Sequence, residues 1–429
     1  MFVLSKAQVY TIYAGFRLNL SSAMVPRLSD WLEQAQLGSE RVDLLWQAVQ
    51  ASAQTLASEP VEQDAIVLLE SLWALKVSPD VLLAAALAKW PALQASLNPK
   101  QEGLPRLQPL LDGIKAAEQV WSLHAQRENP GNSEGLRRLL LALIRDLRVV
   151  PILLAMQLQR LRQANQYSES ERRSLAQLTA DIHSPLANRL GIWQLKWELE
   201  DLAFRYLQPE TYQKIAKLLD EKRTGREKFI EQVKQKMREA LLEAGVEADI
   251  AGRPKHIYSI WKKMQRKNLP FSELYDIRAI RVLVKDIPSC YTVLGVVHQL
   301  WPSIPSEYDD YIAHPKGNDY RSLHTAVLGP ENRTLEIQIR TPQMHEHAEL
   351  GVAAHWRYKE GGSSDASFER KVAWMRQLLE QRDSDASHDL LAGFSTELIE
   401  DRVYLLTPKG EVFDLPHGST VLEDRKSVV

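Results

Sequence analysis

Residues 334–341 read TLEIQIRT, in which apolar and polar side chains alternate. Successive side chains of a strand point to opposite faces of its sheet, so this stretch predicts a strand with one apolar and one polar face. The β-branched run YDIRAIRVLV, residues 275–284, and the shorter run TAVLG, residues 325–329, predict further strands. Helical stretches lie between and after them, which predicts an α+β domain over residues 236–360.

Two carboxylates stand on the longer predicted strands. Alternation gives Asp276 the same face as Arg278 and Ile280. It likewise gives Glu336 the same face as Arg340. If the strands are neighbours, both acids can share a polar face amid arginines, which suits a magnesium site for phosphate chemistry. Cross-strand salt bridges explain the same pattern, so both interpretations stay open.

The segment 251–285 is strongly basic, with nine lysines and arginines against two acids, although the whole chain has a net charge of -2. Its predicted helix PKHIYSIWKKMQRK sets four polar residues on one face by helical spacing, namely Lys255, Ser259, Lys263 and Arg266. A one-sided basic helix beside a sheet can hold a polyphosphate. Charge alone also allows a solvated face or an RNA contact.

A polar loop lies in DDYIAHPKGNDYRSLHTAV, residues 309–327. Its turn residues precede Tyr320 and a strand. The tyrosine can stack on a base, Asn318 or Asp319 can read base edges, and Lys316 can bind a phosphate. Taken alone, this segment is explained more simply by an ordinary polar loop with a buried tyrosine.

Composition narrows the function classes. The chain has 429 residues, of which 45% are hydrophobic and 25% charged, as expected for two to four globular domains. Its one cysteine, Cys290, excludes an intrachain disulfide and a cysteine-based zinc site. Neither a Walker A motif nor a GxGxxG turn is present. No signal peptide or apolar run of membrane-spanning length is found, so we expect a cytoplasmic protein without membrane contact.

Residues 1 to about 230 are predicted to be helical. Ser78 precedes one helix, and apolar residues recur every three or four positions between 136 and 161. Pro151 is predicted to kink or split that second helix. A long charged helix is predicted from Glu210 to about Ala244.

Taken together, five segments resemble the synthetase domain of the RelA/SpoT family of alarmone enzymes in order and spacing. They are GRPKHIYSIWKKM, YDIRAIRVLV, DDYIAHPKGNDYRSLHT, EIQIRT and MHEHAELGVAAHW. The preceding HSPLANRLGIWQLKWELEDLAFRYL resembles the family's helical connector. The following DRVYLLTPKGEVFDLPHGSTVLED resembles the first half of a TGS domain, with a hairpin around Pro408.

The resemblance implies an all-helical degenerate HD-type domain, a helical connector, a mixed-sheet α+β synthetase domain similar to nucleotidyltransferases, and a partial TGS hairpin. The boundaries expected for these parts are 1–164, 165–235, 236–360, a linker and helix over 361–399, and 400–429.

The resemblance also implies the reaction of a GTP pyrophosphokinase (GTP diphosphokinase) of the stringent response. The pyrophosphoryl group of ATP moves to the 3′-hydroxyl of GDP or GTP, with Mg²⁺, to give AMP and ppGpp or pppGpp. Asp276 is implied to ligate Mg²⁺, and Glu336 to ligate it too or to act as base. The residues implied for ATP are Arg253, which stacks on adenine, and Lys255, Ser259 and Lys263, which hold phosphates. Those implied for the acceptor are Tyr320, which stacks on guanine, and Lys316, Asn318 and His324.

Two features imply a monofunctional, RelA-type synthetase. Glu307, Asp309 and Asp310 match the acidic E-x-D-D pattern of such enzymes and are expected to influence metal use and acceptor preference. Where hydrolytic members carry a His-Asp pair, this chain reads Ala-Leu-Ala-Lys-Trp at 86–90, and a later family aspartate falls at Met156. No hydrolase activity is therefore expected.

The chain departs from the family in two places. Asp319 stands where relatives commonly have glycine, but activity is expected to survive because the residues around it are retained. The TGS-like part begins near Asp401 and the chain ends within it, so ribosome and tRNA, which bind longer relatives, are not expected partners of this chain. A catalytically silenced regulatory or RNA-binding remnant and a residual ppGpp hydrolase are the rival hypotheses.

Overall fold

The computed structural model describes residues 27–36, 44–57, 60–125, 146–221, 223–253, 255–268, 271, 279–316 and 320–351, and the backbone of 402–406 and 412–416. The described residues form two compact units. The first holds those up to Glu118 together with 146–159, and the second holds 119–125, those from 160 to 351, and the terminal strands. Among the described helices, none has the length and apolarity needed to cross a membrane.

The first unit is helical, as predicted. Its helices are α1 (Leu28–Gln36), α2 (Leu44–Thr55), α3 (Pro60–Ala74), α4 (Pro79–Lys89), α5 (Pro91–Ser96) and most of α6 (Leu104–Ala125) and α7 (Val149–Arg162). The helix predicted to open at Ser78 is α4. Pro151 lies in the first turn of α7, where its missing N–H removes no helical hydrogen bond. The described helix begins two residues before Pro151, and residues 136–145 lie outside the described residues, so the kink or split stays a prediction.

The second unit combines helices with a sheet. Its helices are α8 (Glu169–Leu178), a π-helical turn (Thr179–His183), α9 (Ser184–Arg189), α10 (Trp193–Leu207), α11 (Pro209–Glu221), α12 (Arg223–Glu243), α13 (Ile257–Lys267), α14 (Ile287–Leu300) and α15 (Pro342–Leu350). The charged stretch predicted as one helix forms α11 and α12, with residue 222 outside the described residues.

The strands are β1 (Ala248–Arg253), β2 (Ala279–Val284), β3 (Asp309–Asp310), β4 (Leu323–Leu328) and β5 (Thr334–Arg340). These described strands form one sheet in the order β1-β2-β5-β4-β3. Only β2 and β5 are parallel to each other, so the sheet is mixed, as the resemblance implied. Sequence reasoning missed β1, which has a single β-branched residue, and β3, which has only two residues.

One face of the sheet is apolar, and its packing against helices directs the other, polar face away from the core. Ile280 of β2 and Ile337 of β5 lie opposite each other and are fully buried. They pack with side chains of α12 and α14, among them Met237 and Val293. Each such buried side chain contributes about 1.5–3 kcal/mol. The polar side chains of the same strands are thereby held on the opposite face.

The helix α10 is fastened to the start of α13. The Asp201 carboxylate on α10 accepts hydrogen bonds from the backbone N–H groups of Ile257 (3.3 Å) and Tyr258 (2.8 Å). These are orphan donors of the first turn, since His256 offers no side-chain cap of its own. A carboxylate from a neighbouring helix therefore caps α13.

The two terminal strands, β6 (Arg402–Leu406) and β7 (Val412–Pro416), pair in antiparallel fashion. This confirms the hairpin predicted around Pro408. The helix predicted at about 367–382 and the linker before it lie outside the described residues.

We expect Asp201→Ala to lower the free energy of unfolding by about 1–2 kcal/mol, the usual loss for a removed helix cap. Asp201→Asn is the matched control, since its amide oxygen can still accept one of the two bonds. Urea unfolding followed by tryptophan fluorescence measures both. Equal midpoints for Asp201→Ala and the wild type would contradict the capping role.

Candidate active site

The polar face of the sheet centres on Glu336. In the β2–β5 and β5–β4 registers, Glu336 lies opposite Ala279 on one side and Ala326 on the other. Arg253 of β1 lies opposite Ala279. Two alanines therefore flank the glutamate, and their small side chains leave space above it that a longer side chain would fill.

Glu336 is held by two hydrogen bonds. Lys255 Nζ donates to Oε2 at 2.6 Å, and Gln338 Nε2 donates to Oε1 at 2.9 Å. The side chains of Lys255 and Glu336 are 16% and 20% exposed. Burial opposes ionisation of the carboxyl, but the charge and hydrogen bond of Lys255 outweigh it and lower the pKa of Glu336 to about 2. The carboxylate is therefore negatively charged at neutral pH.

A cavity of about 300 Å³ opens over this ion pair. Its walls carry six lysines and arginines but only two glutamates, Glu200 and Glu336. The basic residues are Lys196, Arg253, Lys255, Lys262, Lys263 and Arg266, and Ser259 lies among them. Such a surplus of positive charge in a partly enclosed cavity favours a polyanion.

The four residues predicted to share one helical face do line this cavity. Lys255, however, precedes α13 by two residues rather than lying within it. On the other side of α13, Ile260 packs with Ile215 and Phe271 in an apolar cluster. The predicted two-sided character of this helix is confirmed.

The connector helix α10 supplies a wall that sequence reasoning missed. The Trp197 ring lies 4.7 Å from the guanidinium carbon of Arg253 and stacks on His256 at 5.2 Å with an interplanar angle of 23°. Lys196 Nζ lies 3.2 Å from Glu200 Oε2. Burial lowers the pKa of Lys196 and raises that of Glu200. The stretch WQLKWELE could have indicated this wall, because its two tryptophans are four residues apart and therefore share one helical face.

A second aromatic cluster contains three residues predicted for the acceptor. Tyr320 Oη and His324 Nε2 are joined by a hydrogen bond of 2.9 Å. Lys316 Nζ lies 4.3 Å from the centre of the Tyr311 ring and 5.7 Å from that of Tyr320. Trp193 of α10 meets the Tyr320 ring edge-on, with the two ring centres 6.2 Å apart.

The acidic motif is divided between two tasks. Asp310 accepts hydrogen bonds from the Tyr291 hydroxyl (2.9 Å) and from the backbone N–H of Ala313 (2.8 Å), so it organises the turn that follows. Asp309 lies opposite His324 in the β3–β4 register. Glu307 is exposed in the turn before β3. Of these three acids, Asp309 is the one that the strand register sets beside a residue of the acceptor cluster.

Two predicted site residues, Asp276 and Asn318, lie outside the described residues. The sequence argument that placed Asp276 on the polar face loses its premise in the described part of β2, and the position of Asp276 itself stays a prediction. It assigned Asp276 to the face of Ile280, and Ile280 lies on the buried apolar face, opposite Ile337. The residue that β2 sets beside Glu336 is Ala279. Strand alternation is therefore no argument for a pair of acids on the polar face.

In the first unit, the positions where a hydrolase would carry its metal ligands are apolar or engaged. Ala86 and Leu87 are fully buried in α4, and Met156 is 7% exposed. The nearby acid Asp80 accepts a hydrogen bond from Arg106 Nε at 2.8 Å. Within the described residues of the chain, no group of three or more histidine, cysteine or acidic side chains could hold a metal ion.

Comparison with known proteins agrees with this geometry. The family model "Region found in RelA / SpoT proteins" matches residues 252–363, and an HD domain model matches 42–193. A GTP pyrophosphokinase of Photobacterium angustum is 44% identical over 367 residues, which covers 83% of this chain and 49% of that protein. A GTP pyrophosphokinase of Escherichia coli K12 is 48% identical over 321 residues, covering 73% and 43% respectively.

A probable guanosine-3′,5′-bis(diphosphate) 3′-pyrophosphohydrolase of Synechocystis is 46% identical over 297 residues, covering 68% of this chain and 39% of that protein. The chain thus spans about half the length, or less, of these curated relatives. The matches together define a protein with a helical HD-type domain followed by a domain of the kind found in RelA/SpoT proteins. The chain belongs to the RelA/SpoT family.

We expect the His324 imidazole to stay neutral down to about pH 4, since burial lowers its pKa to about 4. An unfolded histidine titrates near 6.5, so the folded state binds fewer protons between about pH 6.5 and 4. Stability should therefore fall as the pH falls through this window. Urea midpoints at pH 7, 6 and 5 test this, and His324→Gln should show a shallower pH dependence than the wild type. Parallel pH profiles would contradict the assignment.

Proposed function

We propose that the chain is a GTP pyrophosphokinase that transfers the pyrophosphoryl group of ATP to the 3′-hydroxyl of GDP or GTP. The observation that carries the proposal is the ionised Glu336, paired with Lys255 at 2.6 Å, in a cavity walled by six basic side chains. The names of the relatives support the same activity.

The basic wall fits the donor side of the reaction. Lys255, Ser259 and Lys263 would hold the ATP phosphates, and the planar guanidinium of Arg253 would stack on adenine. The cluster of Lys316, Tyr320 and His324 fits the acceptor, with Tyr320 stacking on guanine. This division brings the two nucleotides together on one polar sheet face.

The chemical step forms a bond from the guanosine 3′-oxygen to the β-phosphorus of ATP and breaks the bond from that phosphorus to the oxygen bridging the α- and β-phosphates. AMP leaves with that oxygen, and the proton of the 3′-hydroxyl is released. The transition state needs aligned reactants and neutralised charge more than covalent catalysis. The cationic wall supplies both.

Mg²⁺ is the implied cofactor, and the described donor set fits it in part. Magnesium is often held by one or two protein carboxylates together with substrate phosphates, and Glu336 offers an ionised one. We propose Glu336 as a ligand of this metal or as the base for the 3′-hydroxyl. Asp276 is the proposed second ligand. When bound, the metal would neutralise charge on the transferred phosphates.

We further propose that the HD-type domain does not hydrolyse ppGpp. Support comes from Ala86 and Leu87, which are fully buried apolar residues of α4. The name of the Synechocystis relative keeps the hydrolase hypothesis open to test.

The first test incubates the purified chain with labelled ATP, Mg²⁺ and GDP or GTP, without ribosomes. We expect AMP and ppGpp or pppGpp, and a loss of at least about a hundredfold in rate for Glu336→Gln and for Asp276→Ala, because each removes a proposed ligand of the magnesium ion that neutralises the phosphates. Glu243→Gln, an exposed change on α12, is the matched control and should retain the wild-type rate.

Nucleotide binding without product, with or without added ribosomes, would contradict the proposed synthesis and favour the silenced remnant. Manganese-dependent release of pyrophosphate from ppGpp would contradict the proposed lack of hydrolysis. Equal rates for Glu336→Gln and the wild type would contradict the assigned site while leaving the reaction in place.

A further inference from the structure

Two tryptophans of the connector helix α10 face the two halves of the proposed site. Trp193 and Trp197 stand four residues apart, so they share one side of the helix, and their rings lie 5.9 Å from each other. Both are partly exposed rather than buried in a core. Their aromatic surface is therefore directed at polar partners instead of being used for packing the helix.

Trp197 contacts the donor side. Its ring lies within cation–π distance of Arg253, at 4.7 Å, and stacks on His256, which directly precedes α13. It also lines the cavity that contains Lys255 and Glu336. A long, flexible arginine at the end of β1 thereby gains a flat surface that limits its rotamers.

Trp193 contacts the acceptor side. It meets the Tyr320 ring edge-on at 6.2 Å, and Lys196 Nζ lies 4.6 Å from the centre of the Trp193 ring. Tyr320 is held from a second direction by the His324 hydrogen bond. The orientation of the tyrosine ring thus depends on α10 as well as on β4.

We infer that Trp197 is the positioning residue of the donor subsite and Trp193 that of the acceptor subsite. Each acts through the side chain that it contacts, Trp197 through Arg253 and Trp193 through Tyr320, and neither needs to touch substrate. The inference deepens the proposed function, on which the assignment of Arg253 to ATP and of Tyr320 to the guanosine nucleotide rests.

The consequence is a split between the two nucleotides. Loss of the Trp197 ring removes a cation–π contact from Arg253. It should weaken the binding of ATP roughly three- to thirtyfold, with little effect on the binding of GDP. Loss of the Trp193 ring should weaken GDP by a smaller factor, about two- to tenfold, because one edge-on aromatic contact is lost. A general structural role for α10 would weaken both nucleotides together.

The experiment compares Trp197→Leu and Trp193→Leu in the full chain, with Trp197→Phe and Trp193→Phe as conservative partners. Isothermal calorimetry with Mg²⁺ and either ATP alone or GDP alone measures binding without turnover. Steady-state assays then give KM for each nucleotide and kcat. We expect the leucine variants to show opposite nucleotide dependence and the phenylalanine variants to recover most of the wild-type affinity. Thermal melting identifies any leucine variant that does not fold, in which case Trp197→Met and Trp193→Met, which also lack the aromatic ring, are compared for the same split.

Equal loss of both nucleotides in each variant, or no loss in either, overturns the inference even when the wild type synthesises product. If the variants show the expected split but the wild type makes no product, the inference is supported and the proposed catalytic activity is contradicted. A wild type that binds neither nucleotide overturns both.

Discussion

The ion pair between Lys255 and Glu336 is the constraint around which the second unit is arranged. Glu336 belongs to the middle strand of the sheet, where a carboxylate loses much of its hydration and needs a cation to offset that loss. Lys255 reaches it from the connection between β1 and α13. The pair therefore ties the basic face of α13 to the polar face of the sheet, and the two flanking alanines keep the space between them open.

The connector helix α10 has more influence on the site than its place in the chain suggests. Asp201 caps α13, and Trp197 backs Arg253. Gly351, after α15, adopts a φ of 55° and lies against the turn before α10. A Cβ atom at Gly351 would lie only 2.3 Å from the carbonyl oxygen of Leu190 in that turn. Because these contacts fix α10 and the turn before it, movement of this helix would alter both proposed nucleotide subsites.

Much of the proposed donor site could be predicted from local spacing. Helical periodicity alone brings Ser259, Lys263 and Arg266 to one face, and strand alternation separates Glu336 from its apolar neighbours. The TLEIQIRT strand lies in the middle of the mixed sheet, as such a pattern allows. Helical periodicity and strand alternation are set by residues that lie close together in the sequence, so these predictions need no tertiary information.

Other parts depend on contacts between distant segments and could not be predicted in this way. Periodicity shows that Trp193 and Trp197 share a face but does not say what that face meets. Strand β1 has almost no β-branched residues and forms because β2 offers it an edge. Alternation does not establish the place of Asp276, because Ile280, whose face it was assigned, packs with side chains of α14, and the side chain that β2 places beside Glu336 is Ala279.

The most direct test of the central claim is a double-mutant cycle on the stability of the chain, using Lys255→Met, Glu336→Gln and both together. If the pair organises the site, each single change leaves one partner without its counter-charge, and the double variant loses less stability than the sum of the two singles. We predict a coupling free energy of at least about 1 kcal/mol. Additive losses, with no coupling beyond about 0.3–0.5 kcal/mol, would show that the two side chains act independently and would contradict the account.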